Sequence, residues 1–92
     1  PESQTIIEAN ARKLTRSSRT VTQLEGNTDE RGSREYNIAL GERRVYAVRQ
    51  AMIAMGVAPH QIRAVSYGEE RPAASGADEQ SYALNRRVEI VY

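Results

Sequence analysis

The chain of 92 residues reads as an α/β protein with helices laid on one face of a sheet. Three observations predict this. Ile38, Val45, Val48, Met52 and Met55 recur at three-, four- and seven-residue offsets, the buried stripe of a long helix. Residues 20–25 and 62–67 are β-prone runs bounded by turn residues. At the end of the chain, Val88, Ile90 and Tyr92 alternate with Glu89 and Val91, as in a strand that turns one face to a core.

Taken in order, residues 1–16 predict a first helix, because Pro1 and Glu2 suit a helix start and Ile7, Asn10, Ala11 and Leu14 fall on one face. Ser17 and Ser18 signal a loop before the first strand at 20–25. The second helix is expected over 35–55 and is stopped by Gly56. Ala58, Pro59 and His60 form a short connection to the second strand at 62–67. Residues 68–78, with Pro72 and Gly76, read as a long loop before the last strand. There are no internal repeats, and the length suits one small domain over 1–92 with a single modest core.

Composition narrows the function classes. A net charge of +1 gives no strong field, so binding of nucleic acid or of an anionic membrane has no electrostatic support. Twelve arginines stand against the single Lys13. Arg suits planar, bidentate carboxylate recognition, although a bias of the source genome would give the same count. The absence of cysteine removes disulfides, thiol catalysis and the commonest zinc sites. No apolar run approaches the length of a membrane span. Catalysis finds no constellation: His60 follows a proline and has no Ser, Cys or acidic partner spaced for a triad. The acidic doublets Asp29-Glu30 and Asp78-Glu79 lack the spacing of a calcium loop, and no cofactor is implied.

The chemistry concentrates in residues 26–44, GNTDERGSREYNIALGERR. Asp29 lies on the loop that leaves the first strand. Arg44 interrupts the apolar stripe of the following helix, flanked one turn away by Leu40, Ala47 and Val48. A guanidinium beside apolar surface calls for a partner. Asp29 can be that partner, or a ligand carboxylate can, which leaves Asp29 to meet a ligand ammonium group. Asp29 also suits a purely local role, accepting from backbone amides in a turn. Asn37 shares the helix face of Arg44 and can donate an amide hydrogen bond to a ligand, or else serve the helix start. Alternation places Arg86 and Arg87 on opposite faces, so at most one reaches the site, and the other is expected to pair with Glu69, Glu70 or Glu89. Arg43 is expected to be solvated beside Glu42 or Glu35. Tyr36, Tyr67 and Tyr82 are expected in the core with hydroxyls at its rim.

Four blocks, TDERG (28–32), YNIALGERR (36–44), SYGEERP (66–72) and NRRVEIVY (85–92), stand in an order that resembles the OmpA-like peptidoglycan-binding domain, closest to its Pal branch in the Tol-Pal system. The resemblance covers residues 24–92. It implies an OmpA-C-like two-layer sandwich with a mixed sheet. It also implies non-covalent binding of peptidoglycan through the meso-diaminopimelate of the stem peptide, gripped by the Asp and Arg that fall on Asp29 and Arg44. Loop amides near Thr28 and Asp29 are expected to add hydrogen bonds to the ligand, with Asn37 and Arg86 as further candidates from the residues themselves. The partner implied is the protein TolB, on an overlapping face. The setting is the periplasm, with a lipid anchor to the outer membrane outside these residues. Two alternatives are a module whose main activity is TolB binding and a wall anchor of OmpA or flagellar-stator type. Family members begin with a strand, usually bearing Phe and Asp, before the first helix; it is absent here, and a sheet without it is expected to pair with another chain or recruit the segment. Val45 and Tyr46 stand where the family places small residues, and Ala77 where the Pal branch often has His.

Overall fold

A computed structural model describes residues 2–74 and 76–92. Pro1, where the first helix is expected to start, and Ser75, in the expected loop, lie outside the described residues. The elements are α1 (Glu2–Arg16), β1 (Thr22–Asn27), α2 (Arg34–Ala54), a 3-10 turn (Pro59–Gln61), β2 (Ile62–Gly68), α3 (Glu79–Asn85) and β3 (Arg87–Val91). The sheet has the order β2-β1-β3, with β1 parallel to β2 and antiparallel to β3. It is therefore mixed, as the α/β sandwich requires. The parallel pair is joined through α2, the element that packs most extensively on the sheet.

Register puts Thr22, Leu24 and Gly26 of β1 beside Ile62, Ala64 and Ser66 of β2, with Ile90 and Val88 of β3 on the other side. This face meets the helices. Leu24 and Ile62 join Ala11 and Leu14 of α1, Val45 and Met52 of α2, and Val57 in one buried cluster. The opposite face carries Gln23, Glu25, Arg63 and Glu89; burial alternates along the first part of β1, whereas in β2 Ala64 on the helix-facing side is exposed.

Helix α2 comes close to β1 because both carry glycine at the crossing: a Cβ on Gly26 would meet the carbonyl group of Gly41. A buried glutamine ties the layers together. Gln61 Nε2 donates to the carbonyls of Leu14 (2.8 Å), Ser17 (2.8 Å) and Thr20 (3.1 Å), while its Oε1 accepts from the Ala58 amide (3.1 Å). It thereby ties the carbonyls at and beyond the α1 terminus to the 3-10 turn, in addition to the turn bonds that Leu14 and Ser17 accept from the Ser17 and Thr20 amides.

Three expectations need correction. Strand β1 starts at Thr22 and not at residue 20, because the Thr20 amide is committed to a turn, donating to the Ser17 carbonyl. Helix α3 was not anticipated. Its seven residues are too few to show a stripe, and it is marked only by its cap, Asp78, whose carboxylate accepts from the Ser81 amide at 2.8 Å. Tyr92 lies beyond β3 and is half exposed; Lys13 stands over its ring, and its hydroxyl donates to Asn10 on α1.

Candidate ligand site

Asp29 is delivered by the end of β1. The register against β2 shifts between Gly26 and Asn27, and the Thr28 amide donates to the Gly68 carbonyl at 2.8 Å, which locks the strand exit. Gly68 has a φ of +57°, a left-handed conformation that favours glycine. The Thr28 hydroxyl donates to the Asp29 carbonyl. Thr28 thus holds the loop in shape and has no free amide to offer a ligand, contrary to a role as a loop donor. Asp29 itself is 7% exposed.

Its carboxylate is crowded with donors. Oδ1 accepts from the amide (3.0 Å) and Nε (3.2 Å) of Arg31, and Oδ2 accepts from Arg31 Nη2 (2.7 Å) and Arg86 Nη1 (3.0 Å). The Arg31 side chain is the main reason that the Asp29 carboxyl lies far below its ordinary value of 3.8; burial opposes the shift, and the Arg31 amide and Arg86 add to it. A lowered carboxyl pKa stabilises the fold above the ordinary value, and that contribution is lost as pH falls through the folded-state value. Asp29→Asn is therefore expected to flatten the acid side of the stability profile from about pH 4 downward, measured by urea unfolding at stepped pH. A profile parallel to that of the parent chain would show that the carboxylate network does not support the fold.

Arg44 stands apart from this network. Its Nη1 donates to the Asn27 carbonyl at 3.0 Å, and among the described residues no ion pair joins it to Asp29. Of the two partners open to it, Asp29 is taken by Arg31 and Arg86. Arg44 instead lines a groove of about 460 Å³ whose apolar walls include Ile7, Val48, Val88 and Ile90, and which Arg86 also lines. Arg86 links the two halves of the site, reaching Asp29 from the groove, while its Nη2 donates to Glu79 at 2.7 Å.

Arg87 makes the salt bridge expected of one of the pair, donating to Glu89 (2.9 Å), and donates to the Arg71 carbonyl (2.8 Å), but it lines the groove together with Arg86, so the expectation that at most one would reach the site needs correction. Asn37 is buried and donates to Glu69 at 3.2 Å. Its helix-start role is excluded, because Ser33 caps α2 by accepting from the Tyr36 amide. Tyr36 is a correction: it is 54% exposed and not a core aromatic. Tyr67 and Tyr82 are half buried, and their hydroxyls donate to Glu25 and Glu30. Asn85, first of the NRR run, is buried and pins the long loop. Its Oδ1 accepts from the amides of Ala73 and Ala74, and its Nδ2 donates to the Ala74 carbonyl.

Sequence reasoning missed Arg31, Glu79 and Tyr82. The Arg31 guanidinium lies 4.4 Å from the Tyr82 ring centroid, and its Nη1 is 3.5 Å from Glu79 Oε2. The spacing of Arg31 two residues after Asp29 was the available signal. The position of Glu79 depends on α3, which the pattern did not show. Among the described residues, no group of three His, Cys, Asp or Glu side chains converges as a metal site needs, and no helix is long and apolar enough to cross a membrane.

Comparison with known proteins agrees with this architecture. The peptidoglycan-associated lipoprotein of Pseudomonas putida is 56% identical over 90 residues, covering 98% of this chain and 54% of that protein. The crystal structure of the peptidoglycan-associated lipoprotein from Burkholderia pseudomallei superposes with a TM-score of 0.96 at 45% identity, over 99% of this chain and 77% of that one. The C-terminal domain of Helicobacter pylori MotB follows with a TM-score of 0.84 at 28% identity, over 98% and 72%. The chain spans about half the length of the curated relatives it matches. The OmpA family model matches residues 1–86, and with these relatives it shows that the chain belongs to the OmpA family.

Proposed function

We propose that this chain binds peptidoglycan non-covalently, gripping the zwitterionic end of meso-diaminopimelate in the stem peptide, and that it does so within a lipoprotein of the Tol-Pal system. The observation that carries the reading is a groove with arginines on its wall, one of which pairs with the buried Asp29. Arg44 and Arg86 line it, and Asp29 lies at the far end of Arg86. Arg44 commits one guanidinium N–H to Asn27 and retains donors for a ligand carboxylate. Asp29 takes the ammonium. Arg86 steadies Asp29, Thr28 fixes the loop, and Asn37, buried on the helix face of Arg44, holds Glu69 in place. The reaction class is binding without turnover. The likeness to the lipoproteins supports a setting in the periplasm with a lipid anchor in the outer membrane, and TolB as a competing partner.

The ligand chemistry is tested with soluble stem peptides. Peptide bearing lysine in place of meso-diaminopimelate lacks the side-chain carboxylate assigned to Arg44, and is expected to bind more weakly by about 1.5–3 kcal/mol. Equal affinities by calorimetric titration would place recognition elsewhere. The likeness to MotB favours a second reading, a wall anchor of stator type sharing the sugar-peptide site but lacking a TolB face. Capture of purified TolB separates the two.

A further inference from the structure

Asp29 is proposed above as the seat of a ligand ammonium, yet its carboxylate is held by the chain's own arginines. Arg31 holds both carboxylate oxygens with its guanidinium and one of them with its amide as well. Asp29 has a side chain only 9% exposed and already pairs with both Arg31 and Arg86, so a third cation can enter only by displacing one of them. The Arg31 side chain, by contrast, is 52% exposed and is free to move on the solvent side. It also has somewhere to go. Glu79 Oε2 is 3.5 Å from Arg31 Nη1, and the Tyr82 ring lies beneath the guanidinium, so a short swing transfers the ion pair to Glu79 without leaving the aromatic face.

We infer that Arg31 is a displaceable stand-in for the ligand ammonium: its guanidinium closes Asp29 in the empty site and moves onto Glu79 when an amine-bearing ligand enters. The inference rests on the reading of Asp29 as the ammonium seat. Because the open form is only a fraction of the ligand-free population, the apparent affinity is reduced by that fraction. The device disfavours ligands that cannot replace a bidentate guanidinium, and so acts as a specificity filter for a free amine.

The test is titration of this chain with a soluble stem peptide carrying meso-diaminopimelate, and with the same peptide acetylated on the diaminopimelate side-chain amine. Arg31→Gln is expected to tighten the amine-bearing peptide roughly three- to tenfold and to leave the acetylated peptide unchanged. Arg31→Lys, which keeps the charge but loses the fork, is expected to fall between. Unchanged or weaker binding of the amine-bearing peptide by Arg31→Gln overturns the stand-in role, as does equal tightening of both peptides. Asp29→Asn separates this failure from that of the underlying reading: if Asp29→Asn leaves the amine-bearing peptide bound as tightly as before, the ammonium seat itself is wrong.

Discussion

Arg44→Ala and Asp29→Ala are each expected to abolish retention on purified sacculi while leaving the chain folded. Arg44 donates to the Asn27 carbonyl and stands at the wall of an open groove, and among the described residues no ion pair ties it to an acid, so its removal leaves no buried counter-charge there. Its loss removes the proposed carboxylate fork, about 1.5–3 kcal/mol for charge-assisted contacts, which carries a moderate affinity below what a pulldown retains. Asp29→Ala acts at the other end. Arg31 and Arg86 lose their carboxylate, but their side chains are 52% and 30% exposed and Glu79 stays beside both, so water and Glu79 compensate them. The expected cost to the fold is a melting temperature lowered by a few degrees, whereas the ligand ammonium loses its only proposed counter-charge. Retention of either variant on sacculi, with circular dichroism matching the parent, would refute the proposed site.

Much of this site was legible from residues, and the limits of that legibility are physical. Asp29 and Arg44 stood out because one follows a strand-ending turn and the other breaks an apolar stripe; both signals are local. Which cation meets Asp29 is not a local matter. Arg31 reaches it through a turn of two residues, and Arg86 through a strand pairing in which Asn27 lies opposite Arg87, 60 positions on. Arg86 and Arg87 illustrate the same limit. Alternation put them on opposite faces, but both line the groove, and only the end of α3 and the β3 register show that Arg86 pairs with Asp29 and Arg87 with Glu89. Gln61 gave no signal, since a buried glutamine serving three carbonyls from another element is visible only once α1 and the 3-10 turn are packed together. The core stripe was legible from Val45 onward: Val45 and Met52 are buried, with Val48 and Met55 packed against them, whereas Ile38 is only half-buried.

Gly26→Ala is expected to destabilise the domain by about 3 kcal/mol or more, toward the upper end of overpacking costs, because the added methyl meets backbone and not a movable side chain. A Cβ there would contact the Gly41 carbonyl oxygen, lie 2.9 Å from the carbonyl carbon and lie 2.6 Å from Val45 Cγ2. Val45 is fully buried, and Gly41 belongs to the interior of α2, so relief requires moving the helix off the sheet. For a domain of this size the melting temperature should fall by roughly 15 °C. Gly56→Ala is the control: its added methyl would meet only Thr15 Cγ2, at 3.7 Å, leaving the strain of a φ of +101° to cost about 1 kcal/mol. The effect should reach the ligand as well. Gly26 precedes Asn27, whose carbonyl holds Arg44, and α2 carries Arg44; a helix displaced from β1 therefore carries the guanidinium away from the groove that Arg86 shares. At temperatures where Gly26→Ala is still folded, stem-peptide binding should be weakened relative to Gly56→Ala. A melting temperature for Gly26→Ala as high as that of Gly56→Ala, with equal binding, would mean that the contact between β1 and α2 is not what sets the position of Arg44.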